Sequence, residues 1–325
     1  MEFATHLVED LALRVFSSSA STVSGRDAFD TALWTTFRST GLDQLLATGE
    51  STTLRDATAM LRTAGFHAVR IPAAETLLAN WLAMRAGWDE TSFLPVAVTS
   101  PAERTVVPWG RSATALYFVH DGFIARCLGP MNVTCQGSNL AGEPRDQIAW
   151  PIGAFQVSSA AMEADELLCL NALCRAAMMA GAMERALDLA VEYAGQRVQF
   201  GRPISSFQAV QQMMAQLAAH AAAAGAAVDL AVARFSSFTA AVAKSRASEA
   251  VGPVAEIAHQ VVGAMGFTVE FPLHQVTRRL WAWRDEDGSE LYWNRRIGTM
   301  ASAGDGNDLW PLLSGTAPSG QEWQP

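Results

Sequence analysis

Four cysteines in 325 residues, none of them in a CxxC pair, leave no disulfide framework and no thiolate metal site. Cys127, Cys135, Cys169 and Cys174 read as reduced thiols, the default of a cytoplasmic protein. The six histidines are scattered without an HxxxH pair or a His/Cys cluster, so no metal centre is expected. Positive charge is scarce as well. Lys+Arg number 23 against 32 Asp+Glu, and the net charge of −9 argues against nucleic acid as a partner. Long unbroken apolar runs are missing: the alanine-rich stretch Ala215–Ala233 is interrupted by Gln216, His220 and Asp229, and no membrane span is expected. The stretch Met1–Val15 carries Glu2, Glu9 and Asp10 and no basic start, so it is not expected to be a signal peptide.

What is present is apolar bulk. Half of the residues are hydrophobic, and the length suffices for two or three packed units. Residues 1–92 read as a helical domain, with Phe3, Leu7, Leu11 and Val15, then Phe29, Leu33 and Phe37, at helical spacing. A third helix covers Leu54–Ala64. A fourth starts at Ile71-Pro72-Ala73-Ala74-Glu75, with proline and a carboxylate in its first turn and Leu77, Leu78, Trp81 and Met84 as its buried face. Residues 93–158 change to short β signals: Val96–Val98, Thr105–Val107, and a hairpin of Ala115–His120 and Phe123–Cys127 about Asp121-Gly122.

Residues 159–303 return to helix. Leu167, Leu170, Cys174, Ala177 and Gly181 form one stripe, while Leu173, Ala176, Ala180, Met183 and Leu187 form a second, as suits a bundle member contacted on two sides. The next helix reads Phe207, Val210, Met214, Leu217, Ala221, Ala224, Val228 and Ala231. A third is expected from about Ser248, with Gly252-Pro253 in its first turn or at a kink, and a fourth near Phe271-Pro272, interrupted at Asp287-Gly288. Residues 304–325 read as a flexible tail.

Between the first two of these helices lies Arg197-Val198-Gln199-Phe200-Gly201-Arg202-Pro203-Ile204-Ser205-Ser206-Phe207-Gln208. Glycine and proline should stop the first helix, and Ser205 or Ser206 can cap the next. A plain helical hairpin leaves unexplained why Arg197, Gln199 and Gln208 gather around a turn with Phe200. A second segment, His259-Gln260-Val261-Val262-Gly263-Ala264-Met265-Gly266-Phe267, places an amide and a small residue at a helix end, where backbone can approach a phosphate.

Both segments resemble the acyl-CoA dehydrogenase family. The first is similar to its R-x-Q-F-G-x-P-I-x-x-F-Q signature, the second to its Q-x-x-G-G-x-G segment, with Ala264 replacing the second glycine. The run Pro72–Ala79 also resembles the family's N-terminal helical domain. The resemblance implies a mostly α chain: an N-terminal helical domain, a reduced middle β domain and a C-terminal four-helix bundle. It further implies FAD, whose ADP end Arg197, Gln199, Phe200, Gln208, Gln260 and Gly263 would contact in a neighbouring subunit.

Other family landmarks are missing. Val98-Thr99-Ser100-Pro101-Ala102-Glu103-Arg104-Thr105 keeps a proline but lacks the G-S-D of the flavin site, and no W-I-S or W-I-T follows before Ser158. The glutamate base that precedes G-T in most of the family corresponds to Ile297, and the alternative position on the first bundle helix to Asn171. Asparagine cannot take a proton. Keeping what a subunit lends while lacking what it needs resembles one partner of heteromeric (α2β2) bacterial steroid side-chain acyl-CoA dehydrogenases, and Arg278–Gly298 looks like such a partner. The expectation is a chain with no catalytic residue of its own, inactive alone, that shares FAD with a second dehydrogenase-like subunit carrying the glutamate. That subunit would bind most of the acyl-CoA. Two alternatives stay open: a self-sufficient homodimeric enzyme using Glu166 or Asp165, and a scaffold of the same fold without cofactor.

Overall fold

A computed structural model of the chain describes residues 2–17, 29–47, 54–89, 92–98, 104–149 and 155–302. Residues 99–103 of the altered flavin segment and the expected tail, 304–325, lie outside the described residues. Contacts divide the chain into two units, Met1–Leu61 with Val69–Cys174, and Arg62–Ala68 with Arg175–Gln324. Its nine helices and nine strands among the described residues give the mostly α architecture with small sheets that the sequence leads one to expect.

In the first unit, α1 (Glu2–Ser17), α2 (Thr31–Ser39), the start of α3 (Leu54–Phe66) and α4 (Ala73–Arg85) form a helical layer. Asp30 caps α2, accepting from the Leu33 N–H at 2.9 Å. Trp34 and Phe37 bury fully and meet each other at 5.8 Å between ring centroids. Helix α4 departs from the one-faced expectation. Every residue from Ala73 to Ala83 is buried, Glu75 and Asn80 included, while Met84 is half-buried. It is a core helix, not a surface one.

The β region supplies two sheets. One, ordered β1-β3-β4-β7, comprises Pro95–Ala97, Ala115–His120, Phe123–Leu128 and Gln156–Ala161. β3 and β4 turn through Asp121 and Gly122 with φ of 48° and 79°, the doubly left-handed backbone of a tight hairpin. The other, ordered β2-β6-β5, comprises Arg104–Pro108, Arg145–Ala149 and Val133–Cys135. Its β6 carries the fully buried Asp146, held by the Arg111 backbone N–H at 2.7 Å and by Arg111 Nη2 at 2.6 Å. Burial works to raise this carboxyl, but the Arg111 and Gly137 hydrogen bonds prevail and lower it.

The second unit is built on α5 (Ala164–Gln196, from Arg175 onward), α6 (Gln208–Ala233), α7 (Ser237–Val262), α8 (Leu273–Asp285) and α9 (Glu290–Ser302). The end of α3 crosses α5 backbone to backbone. A Cβ on Gly65 would overlap the Met178 carbonyl, and one on Gly181 the Arg62 carbonyl. Beside this crossing Arg62 pairs with Glu184 and reaches Asp229 at 3.6 Å.

Two local readings need correction. Helix α7 begins eleven residues before Ser248, at Ser237, where Ser236 and Thr239 form a reciprocal capping box. Pro253 is therefore interior to the helix and not in its first turn. The missed half, Ser237–Ala247, packs through Ala240, Ala241, Ala243 and Ala247, residues too small to draw a stripe in the sequence. Likewise neither Ser205 nor Ser206 caps α6. A turn of 3-10 helix takes up Ile204–Ser206, and Phe207 stands at the cap without a side-chain bond.

Two helices, α5 and α6, are long and apolar enough to cross a membrane by length and composition. The most apolar window of α5 is 89% buried inside the protein, as expected of a core helix.

Candidate functional site at one end of the helical bundle

Helices α6 and α7 have 26 residues each, joined by Arg234–Ser236, and run antiparallel against each other. The start of α6 and the end of α7 therefore share one end of the bundle. The end of α5 reaches the same place. Val191 and Ala194 line a shallow depression with Ser205, Gln211 and Met214, and Tyr193 meets Phe271 edge to face at 5.8 Å. Both sequence segments singled out above are thus gathered at one end.

The first segment folds as a small hairpin. α5 stops at Gln196, and Val198–Gln199 pairs with Arg202–Pro203 through a turn in which Phe200 and Gly201 take φ of 52° and 78°. A phenylalanine in left-handed backbone is unusual and costs conformational energy. Here it presents the ring to solvent, 93% exposed, with its centroid 6.1 Å from that of the Phe207 ring. Arg202 stacks over Phe207 at 4.3 Å and braces the hairpin, a role no sequence signal disclosed.

Around this tip Arg197, Gln199 and Gln208 are all exposed. Gln199 donates to the carbonyl of Val198 at 2.9 Å, and the Arg197 carbonyl accepts from Ile204 at 2.8 Å. In the second segment Gln260 is exposed on the last turn of α7. Gly263 ends that helix with φ 67° and ψ −145°, and no atom lies within 4 Å of the place a Cβ would take, so its backbone is open to approach. Ala264 is exposed beside it.

Behind Gln260, His259 stacks on Phe267 at 4.3 Å and bonds Thr277 Oγ1 through Nε2 at 2.9 Å. Burial, then His274, hold its pKa below the usual histidine value, so the ring is neutral at pH 7. His259, Phe267 and Trp281 line an open groove of about 830 Å³ with His220, Glu256 and Pro253.

The donor set at this end is one guanidinium and three carboxamides around an exposed ring and an open glycine backbone. It fits a diphosphate and the nucleotide attached to it.

The two expected base positions hold no carboxylate. Asn171 is 6% exposed on α5 and donates to the Leu167 carbonyl at 2.9 Å. Ile297 is half-buried on α9. Glu166 accepts from Arg85 at 3.1 Å, which gives it a structural partner. Among the described residues no group of three or more His, Cys, Asp or Glu could hold a metal ion.

A feature the sequence reading passed over lies deeper. Lys244, the only lysine in the chain, is fully buried on α7. It donates to Ser248 Oγ at 3.1 Å, the Arg284 carbonyl at 2.8 Å and the Gly288 carbonyl at 3.0 Å. Arg175 holds Asp287 at 2.9 Å and Glu286 at 3.4 Å, so the α8–α9 turn is gripped from two helices. Burial lowers the Lys244 pKa from 10.5 to about 8, with Asp287, Glu286 and Asp285 opposing and Arg175 assisting.

Residues 162–297 match the acyl-CoA dehydrogenase C-terminal domain family. The acyl-CoA dehydrogenase IpdE2 of Mycolicibacterium smegmatis is 44% identical over 108 residues, 33% of this chain and 35% of that protein. The acyl-CoA dehydrogenase FadE34 of Mycobacterium tuberculosis is 37% identical over 161 residues, 47% of this chain and 22% of that protein. The match spans about a third of the length of the IpdE2 relative. Among solved structures, the steroid ACAD Tcur3481–Tcur3483 superposes with a TM-score of 0.81 at 20% identity, covering 98% of this chain and 99% of that one. A chain of the ChsE4–ChsE5 complex from Mycobacterium tuberculosis gives 0.75 at 21% identity, covering 93% and 97%. Residues 162–297 thus carry the C-terminal domain of the acyl-CoA dehydrogenase family, and 98% of the chain superposes on a fold of that kind.

Proposed function

We propose that this chain is the non-catalytic subunit of a heteromeric, FAD-dependent acyl-CoA dehydrogenase, working in the cytoplasm. The observation that carries the reading is a pairing. Arg197, Gln199, Phe200, Gln208, Gln260 and Gly263 are exposed together at one bundle end, while both expected base positions lack a carboxylate. The reaction is an α,β-desaturation: a carboxylate removes the α-proton of an acyl-CoA, and FAD, when bound, accepts the β-hydrogen as hydride. In this reading the carboxylate belongs to the partner. Arg197 pairs with the pyrophosphate through its two-pronged guanidinium, Gln208 and Gln260 bond polar atoms of the ADP end, and Gly263 admits it closely. Phe200 covers its apolar surface.

Kinship of fold supports the proposed class of substrate. One solved relative is a steroid ACAD, and another is a complex of two named chains. A steroid side-chain CoA ester processed by a heterotetramer is the substrate and assembly that accord with both.

Co-expression with a dehydrogenase-like chain that carries a glutamate base tests this. The expected product is a yellow complex of even stoichiometry, with this chain colourless and inactive alone. In that complex Arg197→Ala loses a charge-assisted hydrogen bond worth about 1.5–3 kcal/mol, which weakens FAD binding roughly 10- to 150-fold. Arg197→Lys rescues in part, and excess FAD restores turnover because no proton-abstracting group is touched. A yellow, active homodimer of this chain alone refutes the heteromeric reading. Unchanged FAD affinity in Arg197→Ala refutes the cofactor assignment.

A further inference from the structure

Basic side chains number 23, yet only one of them is an amine, that of Lys244. The rest are guanidinium groups, which stay protonated and are not nucleophiles at neutral pH. A lysine amine attacks activated acyl groups when it is neutral and within reach. Burial brings the Lys244 pKa to about 8, so near that pH protonation gives the amine little protection. What keeps it from reacting is cover: the side chain is 0% exposed.

The cover is thin. Of the three acceptors around Nζ, Ser248 Oγ belongs to α7 itself, while the carbonyls of Arg284 and Gly288 belong to the α8–α9 connection. Residues 284–290 are all exposed or half-buried, so this connection is a surface turn. Asp287 and Gly288 take φ of 55° and 94° in it. Side chains hold the turn down. Arg175 Nε donates to Asp287 Oδ2 at 2.9 Å, Arg175 Nη2 lies 3.4 Å from Glu286 Oε2, and Trp293 Nε1 donates to the Asp287 carbonyl at 3.0 Å. Lifting the turn removes two of the three acceptors and uncovers Nζ while α7 stays whole.

We propose that Lys244 is a conditional acylation site for acyl thioesters, closed by the α8–α9 turn and opened when that turn lifts. The Nζ lone pair adds to the thioester carbonyl. The N–C bond forms, the C–S bond breaks, and the departing thiolate takes the proton that nitrogen sheds. The product is an uncharged amide with one N–H for three acceptors, so acylation favours the lifted turn. That acyl-CoA is the thioester at hand rests on the function proposed above; the shielding of the amine does not. A closed chain works among acyl thioesters with no side-chain amine to offer them.

The full chain, with its partner or alone as it purifies, is incubated with acetyl-CoA at pH 8 and then digested with trypsin. Acetylation abolishes the cut after Lys244 and leaves Phe235–Arg246 as one peptide. Without denaturant this peptide should form about 100-fold more slowly than in unfolding urea. Asp287→Asn keeps a residue that tolerates left-handed backbone and removes the charge that Arg175 holds. Its acetylation should be about 5-fold faster or more while the chain stays folded. Acetylation of the native chain as fast as in urea overturns the shielding, and none even in urea overturns the site. Wild type and Asp287→Asn reacting alike, both only through global unfolding, overturns the role of the turn. If Asp287→Asn does not fold, the wild type decides: acetylation should rise at urea concentrations below the unfolding transition, and an onset only at the transition refutes the turn. None of these outcomes depends on FAD or a partner, so they stand apart from the test of the proposed function.

Discussion

The most apolar windows of helices α5 and α6 have the same mean hydropathy, 1.3, and opposite surroundings. Both helices are long and apolar enough to pass for membrane spans, yet the most apolar window is 89% buried in α5 and 33% buried in α6. In α5 the apolar residues are spent on the chain's own core. In α6 a buried stripe of Leu217, Ala221, Ala224, Val228 and Ala231 serves the core, while Ala215, Ala219, Ala222 and Ala226 face outward. Mean hydropathy does not separate a helix that completes its own fold from one that leaves a face uncovered. The contacts do.

The sharpest way to break the comparison uses the two glycines that face Arg62. Gly181 of α5 approaches its carbonyl, and Gly225 of α6 the tip of its guanidinium. Gly181→Ala drives a methyl into rigid backbone, so the loss should exceed about 3 kcal/mol, seen as failure to recover folded protein. Recovery of Gly181→Ala at wild-type stability would mean that the crossing is not tight.

The next effect belongs to Lys244, charge carried inside the second unit. Its pKa in the fold is about 8 against 10.5 for an ordinary lysine. Between these values the unfolded chain binds more protons than the folded one, so this group makes stability rise with pH across that window and lowers it as pH falls through 8. The gain reaches about 3 kcal/mol at the upper end. Urea unfolding at pH 8 and 10.5 measures it, with Lys244→Met expected to lose the pH-dependent component.

Smaller effects fall on α6. Gly225→Ala gains helix propensity and displaces only a flexible guanidinium, so stability should move by less than about 1 kcal/mol. Ala222→Glu, on the outward face, should leave the chain's own unfolding free energy within about 0.5 kcal/mol. It should nevertheless reduce the amount of partner chain that co-purifies. Unimpaired co-purification would show that this face is left to solvent.

Much of this architecture was legible because it rests on local chemistry. Asp121-Gly122 names a hairpin that the backbone confirms, and the start of α4 at Pro72-Ala73 is written in its first turn. The parts that were not legible depend on partners far along the chain. Strands β5, β6 and β7 carry Thr134, Gln147 and Ser158 among their residues and alternate too weakly to stand out. The first half of α7 hides a single buried lysine among serines and alanines. Its acceptors, the carbonyls of Arg284 and Gly288, lie 40 and 44 residues away. The residues proposed for the site came from family motifs, but that Phe200 adopts a left-handed backbone and is 93% exposed was not legible.

That phenylalanine has a consequence for the life of the chain in a cell. A large aromatic side chain, 93% exposed on a strained turn, is surface that water disfavours and that chaperones and proteases recognise. If the partner proposed above covers the tip, a newly made copy carries this ring uncovered until it assembles. Synthesis in excess of whatever provides that cover should shorten the chain's lifetime, so its abundance would be set by supply of the cover more than by its own rate of translation.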